Sequence, residues 1–491
     1  MPPPTLLIAL ILAFGLSETI GPPPITTWEG AIRGAAALGL PILVALLVAA
    51  VGRLVSLSSR SHPNRLGRLG RAYLVHASFG AEVALLGVFA WTIHGLNWPA
   101  TVAWLTGSFG EVAPLLNETL ILAPYLIGLG VIWWGLYLGE RAVCPPRWRP
   151  PRLESASVYL IAKARRSLAI VLPLVAVIAL VEHLLERLLP EGFQGGSVHL
   201  AAMGLVALGS LTALPLLVKR VWPYQPLETG PLRSRLLDLA ERRGVRISEI
   251  HVWRTDQTLA TAAVTGFGFG PRYVFLTDAL LEHLDDERIV AVFGHELSHL
   301  HRRHIRWFGV LLLGAVGLAA LANWLVARLG IVQMESPFWS EVIQQAPAAL
   351  VLGGSIYFVF GGMSRSFERQ ADLDGARALS LTPPPEDDET TDPEAEETRL
   401  GPDAPPDESG LEVFIATLRQ VAAINHLSIH RWTWRHGRMS DRIAFLEQVR
   451  DHPETETIFL RRLRRRSRWI AAVTTFATLM AWLTGSFDLL R

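Results

Sequence analysis

Gly294-His295-Glu296-Leu297-Ser298-His299 decides how this chain is read: two histidines stand four residues apart, just ahead of a long apolar run. On a helix that spacing puts both imidazoles on one face, within reach of a single metal ion. Glu296 cannot share the ligand geometry of its neighbour, but it can lie over the metal's open coordination position. A carboxylate there acts as general base toward a metal-activated water. Ile289, Val290, Ala291, Val292 and Phe293 precede the motif and would bury the first half of the helix, fixing the histidines in one frame. Solvated amphipathic helices produce the same five-residue pattern, so the motif alone leaves a metal site and a polar helix face evenly matched.

Composition sets the surroundings. Of 491 residues, 50% are hydrophobic and only 18% charged, with a mean hydropathy of +0.32, a balance suited to lipid contact rather than to a soluble core. Net charge is +1, which argues neither for nor against a nucleic-acid partner. The single Cys144 excludes an internal disulfide and a multi-thiolate zinc site, so a metal must use His and carboxylate ligands. Lysine occurs only at Lys163 and Lys219 against many arginines, the codon bias of a GC-rich, bacterial genome.

Nine apolar segments are candidate spans: 5–20, 34–56, 73–95, 119–138, 167–186, 198–218, 306–328, 345–363 and 469–487, most near the roughly 20 residues a bilayer core requires. The first also reads as a signal peptide lacking its basic n-region. Arg53, Arg60, Arg65, Arg68 and Arg71 crowd one loop, and Arg141, Arg147, Arg149, Arg152, Lys163, Arg165 and Arg166 another, whereas the loop 96–118 has no Lys or Arg. The positive-inside rule makes the basic loops cytoplasmic. Counting onward, 219–305 and 364–468 fall on that side too, the latter ending in Arg461-Arg462-Leu463-Arg464-Arg465-Arg466.

The chain is therefore expected to comprise an N-terminal region of about six spans (1–220), the first half of a site domain with the HExxH helix (221–305) and two transmembrane helices (306–363). A second half of that domain (364–468) and a C-terminal transmembrane helix (469–491) complete it. Strands are expected over Val245 to Arg254 and Arg272 to Thr277, then one helix from Asp285 to His304 running straight into the next span. An amphipathic helix is expected over Ser364–Leu379. The acid- and proline-rich stretch 382–410, with almost no apolar residues, reads as a disordered insert. Glu82, Glu182 and His183 fall within or near spans, where pairing between helices is the ordinary use of a charge.

Two histidines need a third ligand. A third His in the HExxHxxGxxH register is excluded, because those positions hold Arg302 and Ile305. A carboxylate on a separate helix remains, and Ser364-Arg365-Ser366-Phe367-Glu368-Arg369-Gln370-Ala371-Asp372 offers two, one turn apart. Glu368 can ligate while Asp372 orients a ligating imidazole. Taken alone, Glu368 reads first as an ordinary charged residue at a helix start.

Together, His295-Glu296-x-x-His299 followed by His304, then Ser364-Arg365-x-x-Glu368-x-x-Ala371-Asp372, resemble the M48 family of membrane zinc metallopeptidases, both its HtpX-like and its Ste24-like branches. Tyr273-Val274-Phe275-Leu276-Thr277-Asp278-Ala279-Leu280-Leu281 matches as well, and the likeness covers about 230–450 but not the N-terminal spans. The resemblance implies an α-helical polytopic membrane protein with a mainly α (α+β) gluzincin-type zinc peptidase domain. One Zn2+ per chain is implied on His295, His299 and Glu368, with Glu296 as general base and Asp372 behind a ligand. It further implies that His436 and Arg442, in Arg435-His436-Gly437-Arg438-Met439-Ser440-Asp441-Arg442-Ile443, stabilise an oxyanion. A structural Arg442 paired with Asp441 or Glu447 reads equally well.

Thr261-Ala262 replaces the family's usual Asn-Ala, and Gly437 its usual Pro. The strand with Thr261, Ala262 and Ala263 is expected to bind substrate through main-chain hydrogen bonds, which survive the first change. His301 points off the ligand face, toward water, and His304 packs or hydrogen-bonds near the membrane interface. The expected partners are a peptide or membrane-protein substrate and the bilayer, with no nucleic acid. The implied location is a bacterial inner membrane with the site facing the cytoplasm. HtpX-like quality control, Ste24-like processing of prenylated tails and a non-proteolytic zinc-binding scaffold are the competing roles.

Overall fold

The computed structural model describes residues 26–58, 63–106, 113–143, 153–168, 223–330, 337–380 and 406–486, apart from 256, 258, 267–269 and 426, with isolated helical positions between 176 and 220. The apolar segment 5–20, most of 167–186 and 198–218, Glu182, His183 and residues 382–405 of the acidic insert lie outside the described residues. Contacts divide the chain into two units, Met1–Ser210 with Arg220–Trp222, and Leu211–Lys219 with Pro223–Arg491.

The first unit is helical: α1 (Thr27–Ser58), α2 (Pro63–His94), α3 (Trp98–Thr106), α4 (Ala113–Val143) and α5 (Ala156–Ser167). Its core gathers Leu85 and Phe89 of α2 with Tyr125, Leu129, Ile132 and Trp133 of α4. Leu43, Leu47 and Leu54 of α1 stay exposed, as a lipid-facing helix surface requires. Trp28–Leu57 and Thr119–Ala142 are long and apolar enough to cross a membrane, while α2 carries a shorter apolar stretch, Gly80–Ile93. Glu82 accepts a hydrogen bond from Ser78, one turn back on its own helix (3.3 Å).

The second unit opens with a small sheet. β1 (Tyr224–Pro226), β2 (Glu249–Trp253), β3 (Ala262–Thr265) and β4 (Tyr273–Thr277) are arranged in the order β1-β2-β4-β3, with α6 (Pro231–Arg242) between the first two. β2 and β4 run parallel and the outer pairs antiparallel, so β3 is an edge strand, in register Ala262↔Leu276 to Thr265↔Tyr273. β2 and β4 are the two strands expected from sequence, and every residue of β4 is buried.

Two helices follow, α7 (Asp278–His283) and α8 (Asp286–His301). Asp285 caps α8, accepting the Arg288 N–H at 2.9 Å, and Asp286 and Glu287 complement the helix dipole. Ile289, Val290, Phe293 and Leu297 press its apolar face on Ile250, Val274 and Leu276 of the sheet. The helix expected to run unbroken to His304 does not. Arg303 adopts a left-handed conformation (φ 58°), which ends α8 and begins α9 (His304–Leu329) in a new direction.

α10 (Pro337–Gly354) passes through a π-helical turn, Ser355–Phe360, into α11 (Gly361–Ser380). His304–Leu329 and Ala346–Ser380 are the other two candidate spans among the described residues. α12 (Glu408–Ile424) starts inside the stretch read as insert, capped by Asp407, and α13 (Met439–Asp451) and α14 (Glu454–Leu483) complete the unit. The apolar half of α14 packs along α9, with the Thr474 hydroxyl donating to Val310 O at 3.2 Å.

Glycines permit the contact on which the site rests. A Cβ on Gly294 of α8 would stand 2.4 Å from the Ala378 Cβ of α11, and one on Gly375 would meet Ala291 O at 2.9 Å. The two helices thus touch nearly backbone to backbone. Gly294→Val is expected to cost roughly 2 kcal/mol or more by forcing them apart, and to lower zinc retention with it. Denaturation of the detergent-solubilised chain and metal content after gel filtration measure the two effects.

Candidate metal centre

Close packing of α8 on α11 brings two histidines of one helix opposite two carboxylates of the other. His295 Nε2 lies 3.7 Å from Glu368 Oε2, and His299 Nε2 lies 3.9 Å from Glu368 Oε1. One ligand atom from each of the three residues falls within 4.8 Å of the others. Tetrahedral zinc with bonds near 2.0–2.1 Å sets its ligand atoms about 3.3 Å apart, so the three ligand atoms must draw together by up to about 1.5 Å to close on an ion. The donor set, two imidazoles and one carboxylate, suits zinc.

The remaining nitrogen of each imidazole faces a polar group of the protein. Asp372, fully buried, places Oδ1 3.0 Å from His295 Nδ1. His299 Nδ1 lies 2.9 Å from His304 Nδ1, and His304 Nε2 lies 3.0 Å from Gln370 Oε1. The Gln370 oxygen accepts, so His304 carries its proton on Nε2 and its Nδ1 must accept from His299. His299 therefore holds its proton on Nδ1 and presents a lone pair on Nε2 toward the metal position. Burial, reinforced by neighbouring His295, pushes His299 down to about 3 and keeps it neutral, as ligation demands. At His295 burial opposes the charged form, but Asp372 outweighs it and raises the group above its ordinary value.

Arg442 joins the two carboxylates. Its Nε donates to Asp372 Oδ2 at 2.8 Å, its Nη2 to Asp372 Oδ1, and its Nη1 lies 3.3 Å from Glu368 Oε2. The pairing with Asp441 or Glu447 is thereby overturned; Glu447 pairs with Arg419 at 2.8 Å instead. His436 places Nδ1 2.9 Å from Glu368 Oε1 and keeps 47% of its side chain exposed. Its loop is a tight hairpin, with paired hydrogen bonds between Thr433 and Gly437, and Gly437 has φ +72°. Proline is locked near −65°, so the glycine is a geometric requirement of this turn. Arg365 ties the loop to α11, donating to Trp434 O at 2.9 Å.

A cleft of about 460 Å3 opens over these groups, lined by Thr261, Ala262, His295, Glu296, Glu368 and His436 among others. Ala263, next along β3, is not in its lining. Asn425 fixes the approach to the strand: its Oδ1 accepts from Ala260 N (2.9 Å) and its Nδ2 donates to Ala260 O (2.7 Å). Burial pushes Glu296 up to about 7, only partly offset by His295.

Four roles were not read from the sequence, although His304 itself was expected to pack or hydrogen-bond near the membrane interface. His304 follows His299 by five positions, a spacing that reaches the ligand only because the chain turns at Arg303. Gln370 and Asn425 offer no pattern at all. Asp374, 1% exposed, collects Ser298 (2.8 Å), Arg302 (2.9 and 3.0 Å) and Arg377 (2.7 Å), locking α11 to the end of α8. His301, expected in water, is half-buried with Nδ1 2.8 Å from Arg243 O.

A small sheet with an open edge, a helix bearing HExxH and a second helix bearing the carboxylates define a metallopeptidase-type site. Residues 226–386 match the model of Peptidase family M48. An uncharacterized metalloprotease YhfN of Bacillus subtilis (strain 168) is 35% identical over 84 residues, 17% of this chain and 20% of that protein. Two proteins named Protease HtpX homolog are each 30% identical over 31% of this chain. That of Aquifex aeolicus is covered over 52% of its length and that of Methanopyrus kandleri over 48%. The chain thus spans from a fifth to about half the length of these relatives. Among solved structures, S. mikatae Ste24p aligns with a TM-score of 0.48 and 15% identity over 86% of this chain and 99% of that one.

Two outcomes are expected. His304→Leu should weaken zinc binding about 10- to 100-fold, read by competition with a fluorescent chelator. In metal-free protein, the raised Glu296 favours its protonated form in the fold: its stabilisation is complete below pH 4.5 and is lost as pH rises through about 7. With chelator present, Glu296→Gln should therefore melt higher than wild type at pH 8 and no higher at pH 4.

Proposed function

We propose that this chain is an integral-membrane zinc-dependent metalloendopeptidase with one zinc per chain. The observation that carries the reading is the convergence of His295, His299 and Glu368 on one point, with His295, Glu296 and Glu368 lining a cleft bordered by the edge strand β3. Held by those three ligands, a zinc ion supplies Lewis-acid polarisation of water and carbonyl. An extended substrate adds to the open edge of β3 through main-chain hydrogen bonds in the Thr261-Ala262-Ala263 stretch, chiefly at Ala262, because Thr261 N–H and C=O are already bonded to Thr277. Neither the threonine nor the alanines need contribute more than backbone, which accounts for the tolerated change from Asn.

Glu296 accepts a proton from the water that attacks the scissile carbonyl, and returns it to the amide nitrogen as the C–N bond breaks. His436, exposed at the rim, donates an N–H to the oxyanion that develops on the carbonyl. Arg442 serves the same charge from further back while it holds Glu368 and Asp372 in register. Asp372, His304 and Gln370 set the tautomers of the two imidazoles.

The substrate class we favour is damaged or misassembled membrane protein, cut at the cytoplasmic face of a bacterial inner membrane. Support comes from the likeness to proteins named as HtpX homologues and from the arginine-rich loops. Glu296→Gln should retain one zinc per chain yet lower cleavage of casein and of an unfolded membrane protein by about 10^2- to 10^4-fold. Chelation should silence the wild type. Wild-type rates in the variant would remove Glu296 as base; cleavage confined to a prenylated peptide would move the chain to tail processing; bound zinc without cleavage would leave a scaffold.

A further inference from the structure

Behind the metal centre lies a second cavity of about 670 Å3, between the start of α9, α11 and the middle of α14. Arg302, Arg464 and Arg468 line it together with Trp307, Leu460 and Leu463. Arg302 is paired with Asp374, whereas Arg464 and Arg468, exposed and one turn apart on one face of α14, have no carboxylate partner among the described residues. Glu456 also lines the cavity but is paired with Arg377, and Trp307, Leu460 and Leu463 make the apolar part of the wall.

Its level relative to the apolar helices gives that mixture a meaning. Directly after Arg468, α14 turns outward-facing and apolar: Trp469, Val473, Phe476, Leu479 and Trp482 are all exposed. α9 does the same with Leu312, Leu313, Leu325 and Leu329, within a candidate span that begins at His304. The cavity therefore sits where two packed helices pass from polar to lipid-compatible surface, with Trp307 at the boundary. Basic pockets between membrane helices at that depth are suited to phosphate headgroups, and the aliphatic wall to the first carbons of an acyl chain.

We propose that this cavity binds the headgroup of one anionic phospholipid, with the phosphate on Arg464 and Arg468 and the acyl chains descending along α9 and α14. The site does not depend on peptidase chemistry, and it is read by lipid binding alone. The full chain in detergent is titrated with phosphatidylglycerol or phosphatidylcholine of the same acyl chains and followed by native mass spectrometry. One phosphatidylglycerol should be retained in preference to phosphatidylcholine.

R464Q/R468Q should weaken that retention about 25-fold, near 5-fold for each charge. R462Q/R465Q, which removes the same charge from positions outside the cavity lining, should leave it unchanged. Thr457→Trp, which narrows the cavity without altering charge, should weaken retention of the lipid and decides the matter if the arginine variant does not fold. No preference between the lipids, or equal loss in both arginine pairs, overturns the proposal. Displacement of the lipid by millimolar inorganic phosphate overturns its lipid source and leaves a soluble-anion site.

Discussion

Everything at the site depends on how closely α8 lies against α11. Gly294 and Gly375 remove the side chains that would hold the two helices at ordinary separation, and Asp374 then bolts them together through Ser298 and Arg302. Only at that distance can Glu368 face both histidines and Asp372 reach behind one of them. Metal affinity here is a by-product of helix packing: the ligands are ordinary, and their convergence comes from two missing methyl groups.

The electrostatics obey the same constraint. Two buried carboxylates one turn apart would repel each other and resist ionisation. Arg442 answers both: burial opposes its charge, but Asp372 and Glu368 outweigh burial and hold the guanidinium above its ordinary value. The carboxylates consequently stay ionised around a position where a divalent cation binds. Glu296 has no such counterpart of its own, and burial leaves it poised near neutrality, the range useful to a group that must both take and give a proton.

Legibility in the sequence followed the range of the interactions. The α8 helix and its histidine face were readable because helical periodicity is local, and β2 and β4 because burial leaves continuous apolar runs. Glu368 and Asp372 were readable as a pair because one turn of helix is also local. The end of α8 was not: Arg303 carries no sign of its left-handed conformation, and with it went the role of His304, which a straight helix would have turned away. Asn425 reaches Ala260 across 165 positions, and Asp374 draws its arginines from three separate segments. Nothing at those residues distinguishes them from solvated polar side chains until the chain is folded.

The order of the parts along the chain has its own consequence. Glu368 stands 69 positions after His299 (368 minus 299), with the apolar helices α9 and α10 between, and Arg442 is later still. As the polypeptide leaves the ribosome, the histidines emerge long before anything that can complete their coordination. Both intervening helices must be seated before the halves can meet. The metal site therefore stays incomplete until Glu368 has been made and both helices are in place.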